Sequence, residues 1–178
     1  MIRLFSNALR RFGRREDGTA AIEFAMTVPL LMMIFMASFE SGFLMIRSIM
    51  LEQSVDMTMR ELRLGHLPLA TAATLKDEIC SRSVILTNCE DNITIEMRRI
   101  NTTSWDLPTS NVACMDRVED IEPAVVFDQG QQNDVMLVRV CVVQDAMFPT
   151  TGVGLGLPKD DQGGYGLITT TAFSVEPN

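Results

Sequence analysis

Two sets of residues in this sequence have the types and spacing to carry chemistry. The first is a carboxylate at an apolar run. From Phe24 to Phe39 the only residues that are not apolar are Thr27, Pro29 and Ser38, yet Glu23 stands at the start of that run, within "EDGTAAIEF". A carboxylate in hydrocarbon costs roughly 2.5–3.5 kcal/mol at a helix centre and less near an end, so Glu23 calls for a partner. The second set is Cys80, Cys89, Cys114 and Cys141. They form no C-x-x-C pair, and the single His66 cannot complete a usual zinc set at these spacings. An even number of cysteines in an oxidising compartment reads as disulfides, with three connectivities open. The favoured pairing is Cys80–Cys89, which closes a short loop, with Cys114–Cys141 as its complement. Buried free thiols are the other reading.

No catalytic constellation accompanies them. A Ser-His-Asp triad would have to use His66, just past a helix stop and without a nucleophile motif. "GVGLGLPKDDQGGYG" (Gly152–Gly166) lacks G-K-[ST] and no helix pattern follows it, so it reads as a flexible loop. "NIT" (Asn92–Thr94) matches a glycosylation sequon but falls on a strand pattern. The expectation is a chain that is not an enzyme and has neither metal nor cofactor.

These residues are positioned by a strongly uneven chain. Residues 1–18 hold Arg3, Arg10, Arg11, Arg14 and Arg15 against Glu16 and Asp17, a net of +3, while the remainder carries −11 of the overall −8. The acidic body argues against binding nucleic acid through phosphates, which needs clustered Lys and Arg. With flanking residues, the apolar run makes a helix of about 25 residues, enough to cross a bilayer core of roughly 30 Å. The Arg-rich flank places the N-terminus in the cytoplasm and the body outside. No A-x-A-like site follows the run, since "MAS" (Met36–Ser38) and "FES" (Phe39–Ser41) have bulky first positions, so the apolar segment is expected to stay attached. Pro29 is expected to kink this helix or loosen one turn. Glu40, at the far end of the run, is expected at the outer interface in a capping or solvated role.

"EDGTAAIEF" resembles the processing site of type IV prepilins, most closely that of the TadE-like pseudopilins of Tad (tight adherence, Flp pilus) systems. Gly18, Glu23 and Phe24 match that family's pattern of Gly, four residues, Glu, then an aromatic residue. "VPLL" at Pro29 and the ending "AFSVEPN" also resemble the family. The resemblance implies cleavage by a prepilin peptidase after Gly18, on the cytoplasmic side, with Thr19 as the new first residue. The freed amine would lie one helical turn from Glu23, which would neutralise it in its own chain or a neighbour. Glu23 also sits in the first turn, where the helix dipole favours negative charge. The implied partners are the lipid bilayer, a prepilin peptidase, other Tad pseudopilins and the inner-membrane Tad platform. The implied location is the bacterial inner membrane, single-pass, with a periplasmic body. The alternative is a signal-anchored extracytoplasmic binding or scaffold protein unrelated to pili.

Beyond the apolar run, Leu44, Ser48, Leu51, Val55, Met59 and Leu62 recur at spacings of three and four, extending one helix to about Leu64, where Gly65 and Pro68 stop it. A break near Gly42, giving two helices, is the other reading. A second helix is expected over Leu69–Arg82. Strand patterns occupy Asn92–Ile100, Val135–Val143 and Tyr165–Val175. The expected fold class is α+β: a long, pilin-like, membrane-spanning N-terminal helix packed by a small antiparallel sheet. It divides into a cytoplasmic basic leader (1–18), a transmembrane helix (19–46) and an extracytoplasmic α+β domain (47–178). The loops Asn101–Asn133 and Pro149–Gly164 are long for a compact domain and are expected to be mobile or to form partner surfaces.

Overall fold

A computed structural model describes residues 17–67, 71–108, 112–117, 123–150 and 152–176. The arginines of the leader, the helix stop at Pro68, the expected helix start at Leu69 and the final two residues of "AFSVEPN" lie outside the described residues.

Helix α1 spans Asp17–Arg63, 47 residues, or about 70 Å at 1.5 Å per residue. It runs through Pro29 and Gly42 without interruption, so the single-helix reading holds. Its end is a Schellman closure. Gly65, at φ 72°, donates its N–H to Leu62 O at 3.1 Å, and the His66 N–H reaches Glu61 O at 3.0 Å. The left-handed backbone there is what requires glycine.

The buried side of α1 is turned slightly from the one the spacing suggests. Leu51, Val55 and Met59 are buried as expected, but Ser48 is exposed and Arg47 lies on the buried side instead. Ser54 and Thr58 are buried there too. Their hydroxyls return to Leu51 O and Ser54 O at 2.8 Å each, which leaves no stranded donor.

Helix α2 spans Ala72–Arg82. Thr71 caps it: its hydroxyl accepts from the Thr74 N–H, and the Thr74 hydroxyl accepts from the Thr71 N–H, a capping box that fixes the start. Leu75 and Ile79 point into the core. Ser83 follows the helix and its hydroxyl lies 2.6 Å from that of Ser54 on α1. A disulfide joins Cys80, near the end of α2, to Cys89, which opens the one-turn helix α3 (Cys89–Asn92).

Strands β1 (Ile93–Ile100), β2 (Val135–Asp145) and β3 (Gly164–Ser174) form an antiparallel sheet in the order β1-β2-β3. The fold is therefore α+β, a long apolar helix packed on a small three-stranded sheet. One face presents Ile93, Ile95, Met97, Val138, Val140, Val142 and Leu167 to Leu51, Val55 and Met59 of α1 and to Leu75 and Ile79 of α2, in one continuous core.

The opposite face is covered as well. Leu137, Arg139, Cys141 and Val143 of β2 are all buried. The connection between β1 and β2, expected to be mobile or a partner surface, folds back over the sheet. The Cys114–Cys141 disulfide fastens it, Val112 is buried two residues before that bridge, and Phe127 pairs in parallel with Met97 at the edge of β1. Met97 donates to Val126 O at 2.9 Å and accepts from the Asp128 N–H at 2.8 Å. The cause is β2 itself: its outward row is too apolar to face water. Within that layer the neighbouring side chains of Glu96 and Arg139, which also face each other in the strand register, form a buried ion pair, and Arg98 approaches the same carboxylate at 2.8 Å.

The Cys114–Cys141 bridge spans 27 residues. By the chain-entropy relation, a loop of that length constrains the unfolded chain by about 3.5 kcal/mol. Replacing both cysteines by serine should lower the stability of the detergent-solubilised chain by an amount of that order in denaturant titrations. Limited proteolysis should then cut first between residues 101 and 133.

Candidate functional site

Gly18, Thr19, Glu23 and Phe24 lie on the first two turns of α1, all exposed. Thr19 and Glu23 are one turn apart and so lie on the same side of the helix. Among the described residues no ion pair or hydrogen bond engages the Glu23 carboxylate. A side-chain carbon added at Gly18 would meet nothing within 4 Å, so packing does not call for glycine there. Glycine inside a helix is about 1 kcal/mol less favourable than alanine.

The following stretch turns its apolar side chains outward. Ile22, Phe24, Met26, Leu30, Leu31, Met32, Met33, Ile34, Phe35 and Phe39 are all exposed, Met26 by 75%. An 18-residue window here has mean hydropathy 2.0 and no part of it is buried in the protein. A core helix of a soluble domain would bury such a window, so this segment is the outward-facing kind. It is the one helix among the described residues that is long and apolar enough to cross a membrane.

At the far end of this stretch stands a polar latch. Glu40 is 1% exposed. Its carboxylate accepts the backbone N–H groups of Met147 at 3.2 Å and Phe148 at 2.8 Å. Two turns further along, Arg47 is buried and its Nη1 donates to Asp145 O at 2.7 Å and to the Tyr165 hydroxyl at 2.9 Å. One face of α1 thereby grips the end of β2, the loop after it and the start of β3. A short helix, α4 (Gly152–Gly156), completes the contact, with Gly152 against Ala37. The glycine-rich segment read as a flexible loop is thus in part a helix and in part, from Gly164, the start of β3. Glu40 is buried rather than solvated, because the β2–β3 connection folds over it and supplies its donors.

A second clasp closes the same connection. Arg117 Nη1 bonds Asp145 Oδ1 at 2.8 Å, while Nε and Nη2 bond Asp160 at 3.0 and 3.1 Å. Burial alone would raise the Asp160 pKa. The Arg117 guanidinium outweighs it, together with the N–H groups of Gly164 and Gln162, and holds that carboxyl below its usual range. The Asp160 hydrogen bond in turn is the main cause that raises Arg117.

The helix also matches a known family by sequence. Residues 18–60 match a TadE-like family model. The matching family model is described as TadE-like protein, and it covers those residues only, so the β-sheet body stands outside the match. The matched segment, with its outward apolar side chains, fits a membrane-anchored protein. Comparisons with curated proteins and with solved structures found no match. The TadE-like segment starts at Gly18, and it contains both latch residues.

Sequence reasoning missed the latch. Arg47 fits the spacing of Leu44 and Leu51 as well as Ser48 does, and Glu40 lies two turns before it. That pairing was the available signal. The disulfides are both present, Cys80–Cys89 and Cys114–Cys141, with Cα separations of 5.6 and 5.3 Å.

Glu40→Ala removes the acceptor for two amide groups, and leaving buried donors unmet costs about 1–3 kcal/mol each. Hydrogen exchange at Met147 and Phe148 should accelerate in this variant more than at β1 amides, with Glu40→Gln intermediate. A depressed carboxyl pKa adds stability above the unfolded-state value, near pH 4, and the contribution is lost as pH falls through the folded value. Denaturant midpoints should therefore fall on acidification below about pH 4, and less steeply in Asp160→Asn.

Proposed function

We propose that the chain is a minor, pilin-like subunit for assembly of a Tad/Flp pilus and for surface adherence, and that it acts by association rather than as an enzyme. A prepilin peptidase cuts after Gly18 at the cytoplasmic face, and Thr19 becomes the first residue. The apolar helix stays in the inner membrane with the disulfide-bonded body in the periplasm, an oxidising compartment in which such bridges persist. There it meets other Tad pseudopilins and the membrane platform.

The observation that carries this reading is the state of Gly18 and Glu23. The glycine sits in a helix with no packing reason to be glycine, five residues before a carboxylate that the described fold does not engage. A peptidase that needs a small residue, and an amine created by its cut, would account for both. The start of the TadE-like match at residue 18 supports the same boundary.

Mass spectrometry of the mature protein from its native host should find an N-terminus at Thr19. Retention of Gly18, or a start beyond Phe39, would count decisively against processing. Glu23→Ala should still insert in the membrane and be cleaved, yet impair pilus assembly; piliation equal to the unaltered strain would remove Glu23 from the mechanism.

A further inference from the structure

The segment from Ala146 to Pro158, "AMFPTTGVGLGLP", holds no charged residue, although the body around it is acidic. Met147, Val153 and Leu155 are exposed, Leu155 by 68%. Such a run at the surface of a charged body calls for a cover. Its position indicates which one. From Thr19, about 20 residues at 1.5 Å each span a 30 Å hydrocarbon core and end near Phe39. Gly152 packs against Ala37, so close that an added side-chain carbon would lie 2.9 Å from the Ala37 Cβ. The loop therefore meets α1 where the helix leaves the hydrocarbon, and its apolar surface continues the belt that ends at Phe39.

Its shape is fixed. A carbon added at Gly154 would fall 2.2 Å from Phe148 O, so the chain there closes tightly on itself. Lys159 then donates to Pro149 O across the base of the loop. The first charges after the loop, Lys159, Asp160 and Asp161, lie at this base, where Asp160 joins the Arg117 clasp.

We propose that residues 146–150 and 152–158 form a second membrane contact, an apolar loop set into the leaflet on the body's side, beside the helix exit. It would bind lipid acyl chains through Met147, Val153 and Leu155 and would shield the Glu40 carboxylate from them. The inference rests on the membrane-anchored reading of α1.

The test uses the full chain reconstituted in phosphatidylcholine vesicles with brominated acyl chains. The native Trp105, exposed and anchored near Asn101 at the far end of β1, is removed by Trp105→Phe, and one indole is introduced by either Leu155→Trp or Ile34→Trp. Both sites are exposed. Bromolipid should quench emission at both positions, and acrylamide should quench Leu155→Trp much less than it quenches Trp105 in the unaltered chain. Bromolipid quenching of Ile34→Trp alone, with Leu155→Trp open to acrylamide, overturns the loop contact and leaves the anchor standing. An indole at position 155 reached by neither quencher means that protein covers the loop, which also overturns it. Failure of bromolipid to quench Ile34→Trp defeats the anchor reading and the proposal with it.

Discussion

Glu40 is a carboxylate with almost no access to solvent at the point where the apolar run of α1 ends, and the β2–β3 connection is arranged so that it is not without donors. Its two N–H partners belong to Met147 and Phe148, just past the end of β2. Those amides reach it because Arg47, on the same side of the helix, holds the last carbonyl of β2 at Asp145. The same guanidinium holds the Tyr165 hydroxyl at the start of β3. Two adjacent strands are thus registered against the helix by two charged residues on one face. Either one removed would strand the other groups in a buried setting, which is costlier than the net worth of the contacts.

The consequence is a body with a fixed attitude to its helix. β3 starts beside Arg47, and two residues past its end Glu176 pairs with Arg63 at 3.3 Å near the helix end. Helix and strand therefore point the same way over their whole contact. The apolar core between them, from Leu51 to Met59 against Val138, Val140 and Leu167, supplies the non-directional attraction. The latch supplies the direction and the height. If the helix packs side by side with others, as proposed, a body held at one height would carry that arrangement outward.

How much of this was legible beforehand depends on the range of the contacts. The helix end at Gly65, the face of α2 with Leu75 and Ile79, and all three strands came from local patterns, and the structure follows them within a few residues. Arg47 and Glu40 did not, because their partners lie 118 and 107 residues away and are mostly backbone atoms, which leave no mark in the side-chain pattern. The covering layer over Leu137 and Val143 was missed for a related reason. A strand buried on both faces reads simply as apolar, and nothing in its own letters says which segment will lie across it.

The two carboxylates that bracket the apolar run separate what folding uses from what it leaves over. Glu40 is fully spent on the fold: both its partners are in the chain and no surface of it faces outward. Glu23, at the other end, is exposed, and the described structure offers it nothing. Near a membrane interface an unpaired carboxylate is tolerable but unhelpful, and Gly18, five residues before it, is glycine without a steric reason. Residues that cost stability and are not used internally are best explained by something outside the chain. The amine that the proposed cut would form at Thr19, in the same helix or in a neighbouring one, would have the charge and the one-turn spacing to meet Glu23. If it is the neighbour's amine, the ion pair would fix how far one helix slides along another, as the latch at Glu40 fixes the body along its own helix.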